Sequence, residues 1–450
     1  MPAVETLGMS VASSRLLRQG VLHAVLALNA RRPVHRNRLL TIPSFFASWL
    51  VTEAAPEWLA LWAARSGREL VRNRGRLGAA DAVGLGLTAA AGASLVGQML
   101  DAARADEELR AALSGEVPSG YLDDRPSAVR RGAFLPWMNG RTRRRKTRGV
   151  VYSDVGTHRL KLDVYEPLDP PVPGQLRPAI IQIHGGAWIL GSKDEQGVPL
   201  LNHLAANGWV GFNVEYRLSP RAKFPTHLID CKAALAWVRE HAADYGVDPD
   251  FICVTGGSAG GHLTALMALT ENDPVFQPGF EDADTSVQAA VPFYGVYDLL
   301  DREQDQLDTF LRFLEQVVMG SHPEADPEGW ASYSPIDRIH GDAPPMMLLH
   351  GDRDVLVPVA GARRFAAALR RESSNPVVYA ELHGAQHAFE VFPSIRTVRT
   401  IEYVERFLSW VHRRHLAERE PEGREEPDTP LPVVDTTGSE RAPLATSRRK

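Results

Sequence analysis

The strongest constraint on how this chain folds lies between residues 251 and 270. A β-like run, Phe251-Ile252-Cys253-Val254-Thr255, passes without a spacer into Gly256-Gly257-Ser258-Ala259-Gly260-Gly261 and then into a helical run. A strand that turns into a helix over so few residues needs glycine around the apex, where a Cβ would clash with neighbouring backbone. Ser258 is the apex residue. The turn lifts its hydroxyl above the sheet and sets it beside a helix N-terminus, whose dipole favours a developing anion. A Gly-x-Ser-x-Gly match alone is weak, because a plain glycine-rich loop satisfies it. The strand before it and the helix after it give it meaning.

The surrounding sequence supplies a sheet for that turn. From Val150 onward, strand-like runs at 150–152, 160–165, 179–184, 210–216, 251–255, 289–294, 346–350 and 377–382 are interspersed with helical runs at 200–207, 228–244, 259–270 and 398–412. The run at 179–184 is continuously apolar, which suits a strand buried on both faces. Strands alternating with helices predict an α/β domain, a mostly parallel central sheet with helices on both faces.

Three further motifs each follow a predicted strand. His184-Gly185-Gly186-Ala187-Trp188 follows the strand ending at Ile183. Consecutive glycines let backbone N–H groups approach a substrate carbonyl, and each such donor to an oxyanion is worth about 3 kcal/mol. Gly185 and Gly186 are the expected donors, with the N–H of Ala259 as a third. A phosphate-binding loop is the rival reading, but no Lys-Ser/Thr follows. His350-Gly351-Asp352-Arg353-Asp354 supplies an acid able to orient a histidine. Asp352 suits a turn or a cap, whereas Asp354 lies on the loop proper and is the chosen acid. Gly384-Ala385-Gln386-His387-Ala388-Phe389 supplies the histidine. His383 is nearer the strand end and reads as structural. The chain order Ser258, Asp354, His387 is that of one known class of serine hydrolases.

These residues resemble the α/β-hydrolase superfamily and, within it, the hormone-sensitive-lipase-like carboxylesterases. Glu215-Tyr216-Arg217-Leu218-Ser219-Pro220 and Gly260-Gly261-His262-Leu263 look like further signatures of that group, and the likeness covers about residues 150–415. One departure is Gly257, where the group's usual turn has an acidic residue. It moves the chain toward the carboxylesterase and feruloyl-esterase-like branch. The resemblance implies an esterase or lipase working through an acyl-enzyme on small-molecule or lipid esters, with no metal or cofactor. A peptidase or amidase of the same fold, and a catalytically silent binding protein, stay open beside it. Residues 301–330, with a helical run at 307–319, read as part of a cap, with Phe310, Phe313, Leu314 and Val317 as candidate lining. A surface insertion is the alternative.

The rest of the 450-residue chain falls into three parts around a catalytic region at 150–416. Residues 1–140 are rich in Ala, Leu, Trp and Arg and predict a helical region. Two apolar segments, 39–64 and 82–100, make residues 39–100 a candidate for membrane contact. The second has nineteen residues without a charge, about 28 Å of helix, near the thickness of a bilayer core. The alternative is a small-residue helix packed inside a soluble bundle or beneath the catalytic domain. The first segment, with its Trp residues, suits a position in the membrane interface. Membrane association is therefore the expected localisation, with the cytoplasm as the alternative, and a third reading puts an anchored interaction protein's function in residues 1–140. Residues 141–149 read as a basic linker, with six Arg or Lys between 141 and 148; a patch for anionic lipid head groups is the sharper alternative. Residues 417–450 are charged and proline-rich, and read as a disordered tail. A net charge of −5 gives no electrostatic case for nucleic acid. Cys231 and Cys253, the two cysteines, read as small buried hydrophobes rather than a disulfide or a zinc site.

Overall fold

The computed structural model describes residues 14–35, 37, 39–122, 144–156, 158–172, 174–307 and 309–419. Among the described residues five α-helices precede the sheet: α1 (Arg15–Arg31), α2 (Thr41–Glu53), α3 (Ala55–Arg72), α4 (Ala79–Ala103) and α5 (Ala105–Leu113). The catalytic region follows as β1 (Arg144–Val155), β2 (His158–Pro167), β3 (Arg177–Ile183), α6 (Val198–Ala206), β4 (Val210–Val214), α7 (Thr226–Glu240), β5 (Val247–Gly257), α8 (Ala259–Leu269), β6 (Ala290–Phe293), β7 (Met346–Gly351), α9 (Val359–Glu372), β8 (Val377–Leu382) and α10 (Ile395–Arg419).

The eight strands form one sheet in the order β1-β2-β4-β3-β5-β6-β7-β8. β1 with β2 and β2 with β4 are antiparallel, and every other pair is parallel. The α/β expectation holds. The order places β3, β5, β6, β7 and β8 side by side, so the loops after their carboxyl ends share one edge of the sheet. That edge is where open α/β sheets bind ligands. One face packs under α7, α8 and α9, and the other under α5, α6 and α10. Cys253 and Cys231 are buried free thiols.

The structure corrects three boundaries. β1 begins at Arg144, six residues before the apolar pattern, so residues 144–149 are strand rather than linker. Their charges have partners: Lys146 reaches buried Asp163 at 2.9 Å, Arg148 reaches Asp194 at 2.8 Å, and Arg145 pairs with Glu166. Residues 144–148 are thus part of a strand with charged partners, and the side chains of Arg145 and Arg148 stay mostly exposed. The final helix extends to Arg419, three residues into the expected tail; residues 420–450 lie outside the described residues, as do 141–143. Leu109 and Leu113 of α5 sit in the core beneath the sheet, so packing does not divide the chain near residue 140.

The apolar segments also resolve. Residues 39–64 are two helices that meet at Ala54, not one rod. α4 lies against α1 with almost no space between the backbones: a Cβ on Gly20 would be 2.2 Å from the carbonyl oxygen of Gly84. Small residues permit that approach. Ala27, Ala30, Val51, Trp62, Ala91 and Leu95 form a small core among these helices. Among the described residues one helical stretch, Ala79–Leu113, is long and apolar enough to cross a membrane.

Candidate active site

Ser258 stands between β5 and α8 with φ 60° and ψ −120°, a conformation that L-residues adopt only when the surroundings over-determine it. Its N–H donates to the Phe293 carbonyl at 3.0 Å, and its carbonyl accepts from the His262 N–H at 3.0 Å. The turn fits because a Cβ on Gly260 would be 2.2 Å from the Ile183 carbonyl oxygen. Glycine there brings the end of β3 against the start of α8.

The candidate acid, Asp354, and the candidate base, His387, come from the loops after β7 and β8. Asp354 is buried. One carboxylate oxygen accepts the N–H groups of Leu356 and Val357 at 2.9 and 2.8 Å. The other meets His387 Nδ1 at 2.6 Å and His350 Nε2 at 3.3 Å. Burial alone would push this carboxyl up, but the adjoining histidines His387 and His350 hold it well below the usual carboxylate range. It is a fixed anion behind His387. The neighbours that the sequence offered as rivals pair with each other instead, His383 Nδ1 with Asp352 at 2.7 Å, and neither lines the pocket.

Ser258 and His387 open on one pocket of about 770 Å³. The wall beside Ser258 carries Gly186, Ala187 and Ala259. Among the described residues the N–H groups of these three have no acceptor. Gly185, expected as a donor, is committed elsewhere: its N–H donates to Gln196 Oε1 at 2.7 Å. Ala187 stands where Gly185 was expected, with a left-handed φ of 52°. Behind this loop Tyr216 stacks on His184 at 4.3 Å and donates its hydroxyl to the His184 carbonyl at 2.9 Å. Burial pulls the His184 imidazole down to about 4, so it is a neutral prop.

Several residues at the site carry no motif. Tyr294, after β6, packs its ring 4.5 Å from that of His387. Its hydroxyl fills the space beside Gly257, where a Cβ would lie 2.6 Å from it, and donates to the buried carboxyl of Glu390. The acidic group missing before Ser258 thus has a buried counterpart at 390, reached through Tyr294. Burial pushes Glu390 up to about 7. A further wall of the pocket is α2, through Ile42, Phe45, Phe46 and Trp49. Their aromatic rings, read as part of a bilayer segment, belong at least in part to the pocket. Of the four cap candidates, Phe310 and Phe313 line it, Leu314 is in the core and Val317 packs against that core. Among the described residues no cluster of His, Cys, Asp and Glu has the arrangement of a metal site.

Comparison with known proteins shows the family. The BD-FAE family profile matches residues 162–369. The probable carboxylic ester hydrolase LipM of Mycobacterium tuberculosis is 41% identical over 421 residues, 88% of this chain and 93% of that protein. Esterase LipQ of the same organism is 43% identical over 329 residues, 71% of this chain and 77% of its own. The solved structure of Thermogutta terrifontis esterase 2 phosphonylated by sarin shares 30% sequence identity at a TM-score of 0.50, covering 60% of this chain and 93% of that one. Likeness of this degree over nearly the whole of both LipM and the present sequence makes the chain a member of the same α/β-hydrolase family of carboxylic ester hydrolases.

Proposed function

We propose that the chain is a serine carboxylic ester hydrolase that cleaves acyl esters through an acyl-enzyme. The observation that carries this reading is one pocket shared by Ser258, the Asp354-bound His387 and three N–H groups without acceptors. His387 takes the Ser258 proton through Nε2 while Nδ1 stays bonded to Asp354. Ser258 Oγ attacks the ester carbonyl. The N–H groups of Gly186, Ala187 and Ala259 receive the oxyanion, whose negative charge grows only as the tetrahedral intermediate forms. His387 then protonates the departing alcohol, activates a water, and the acid leaves. The fixed charge of Asp354 stabilises the imidazolium that forms in both halves of the cycle.

The pocket wall favours an apolar acyl group over a charged one. Phe45, Phe46 and Trp49 from one side and Phe310 and Phe313 from another enclose the space before Ser258, and burying a methylene against such surfaces gives about 0.8 kcal/mol. A series of nitrophenyl esters of increasing acyl length, with wild type and Ser258→Ala, tests this reading. Turnover that rises with chain length and vanishes in the variant is the expected result. An inactive wild type at every length defeats it, as does an aminoacyl anilide turned over faster than every ester.

We further propose that the amino-terminal helices rest on a membrane. Val21, Leu22, Val25 and Leu28 make an exposed apolar stripe on α1, and Leu39, Leu40, Ile42 and Phe46 make another at α2. Exposed apolar patches of this kind mark interaction surfaces. Co-sedimentation of the full chain with phospholipid vesicles is the expected result, and a protein left wholly in the supernatant defeats the proposal.

A further inference from the structure

We infer that α2 is a positioning element for the catalytic histidine, acting through Ser48, Trp49 and Glu53 on the loop that carries His387; this rests on the serine-hydrolase reading above. His387 lies on residues 383–394, between β8 and α10. Nothing in that loop is regular secondary structure, and Ala388, next to the histidine, is left-handed with φ 59°. A loop of this kind keeps one geometry only if its surroundings hold it.

The loop after β7, Glu108, Tyr294 and Thr397 all hold it, and α2 adds contacts on both sides of the histidine. Gln386, 2% exposed, accepts the N–H of Val355 at 2.9 Å and that of His387 at 3.0 Å through one oxygen. It thereby ties the acid loop to the base loop. Its amide nitrogen donates to Ser48 Oγ on α2 at 3.1 Å, and Ser48 Oγ donates to the Phe45 carbonyl at 2.9 Å. On the other side of the histidine, the Trp49 indole donates to the carbonyl of Ala388 at 2.8 Å. At the end of the loop, Glu53 accepts the Ser394 hydroxyl at 2.6 Å and pairs with Arg396, the two charged side chains each 1% exposed. Arg396 in turn donates to the His383 carbonyl at 3.0 Å, where the loop begins.

The spacing is that of one helical face. Positions 45, 48, 49, 52 and 53 follow the i, i+3, i+4, i+7, i+8 pattern, and Phe45, Ser48, Val51, Thr52 and Glu53 are buried. Ile42 and Phe46, which also border the pocket, and Leu50 stay exposed. A buried carboxylate and a buried hydroxyl would be costly in a helix that served only as an apolar cover. Here each has a partner on the histidine loop. Small displacements of a catalytic group cost rate rather than substrate affinity, so α2 acts on turnover.

The test uses the full chain, with every rate divided by the number of sites titrated by a fluorophosphonate, so that misfolded molecules do not count. Gln386→Met removes the bridge, and Ser48→Ala removes one oxygen from a helix that is otherwise unchanged; neither residue lines the pocket. We expect kcat per titrated site to fall about 10- to 100-fold in Gln386→Met and about 3- to 10-fold in Ser48→Ala, with KM within about twofold of wild type. In the Gln386→Met background, Ser48→Ala should cost nothing more, because its effect passes through Gln386. Should Gln386→Met fail to fold, the loss of kcat in Ser48→Ala at constant KM still decides. Turnover within twofold of wild type in Ser48→Ala, or additive losses in the double variant, overturns the inference. A wild type that neither turns over esters nor is titrated at Ser258 instead defeats the hydrolase reading beneath it.

Discussion

Replacing Glu390 by Gln should stabilise the protein in alkali and leave it nearly unchanged in acid. Glu390 is buried beside Tyr294, with Glu53 on one side and His387 on the other. Burial raises its carboxyl from an ordinary 4.5 to about 7; Glu53 adds to the rise, and the Tyr294 hydroxyl, its own backbone N–H and His387 oppose it. The folded protein therefore holds this proton more tightly than the unfolded chain does. Stability from the group is fully present below pH 4.5 and is lost as pH rises through 7. Each pH unit in that window is worth 1.36 kcal/mol, so above pH 8 the ionised side chain costs about 3 kcal/mol. Gln keeps an acceptor for the Tyr294 hydroxyl and never ionises. Other buried groups titrate alike in both proteins and cancel in the difference. With an unfolding entropy of about 2.1 cal/mol/K per residue, the gain corresponds to a rise in Tm of about 3–4 °C for a chain of this size. Calorimetry at intervals from pH 5 to pH 9 reads it directly. The expected gap is under about 1 kcal/mol at pH 5 and widens to its full value by pH 8. A gap that is constant across the range, or a variant that loses ground as pH rises, refutes the assignment of a neutral buried acid at 390.

Asp354→Asn should leave the fold intact and lower kcat roughly 10⁴-fold, because an amide at that position no longer holds His387 in the productive tautomer; initial rates on the best nitrophenyl ester measure it. Gly257→Asp should destabilise by at least about 2 kcal/mol, since its Cβ would lie 2.6 Å from the Tyr294 hydroxyl, and urea unfolding reads the loss. Substituting Val25 and Leu28 by Ser should weaken co-sedimentation with phospholipid vesicles several-fold while leaving turnover of a soluble short-chain ester unchanged, as both side chains are exposed and neither lines the pocket.

Much of the candidate site is legible in the sequence because the proposed chemistry requires rare local geometry. The turn at Ser258 needs glycine at 260, the oxyanion loop needs it at 186, and each motif directly follows a strand. Strands that alternate with helices then bring the loop ends to one edge. Three things were hidden for identifiable reasons. A backbone donor leaves no mark on its own residue type, so the commitment of Gly185 to Gln196 and the availability of Ala187 were beyond the reach of the motif. The charges of residues 145–148 look solvated in a string of letters, whereas their partners Asp163, Glu166 and Asp194 lie 17 to 46 positions away. α2 misleads most. Its Phe and Trp residues outweigh Ser48, Thr52 and Glu53 in any hydropathy window, and only the fold shows those three polar groups on one buried face. Glu53, inside an apolar segment, is half of a buried ion pair with Arg396 at the end of the histidine loop.

In the proposed reaction His387, backed by Asp354, makes the Ser258 hydroxyl nucleophilic. Intact-protein and peptide mass spectrometry after brief exposure to a fluorophosphonate measures this without any assumption about substrate. One adduct per chain, on the peptide containing Ser258 and formed at a rate that collapses in His387→Ala, is the predicted result. Labelling on another residue, or a rate at Ser258 indifferent to the loss of the imidazole, contradicts it.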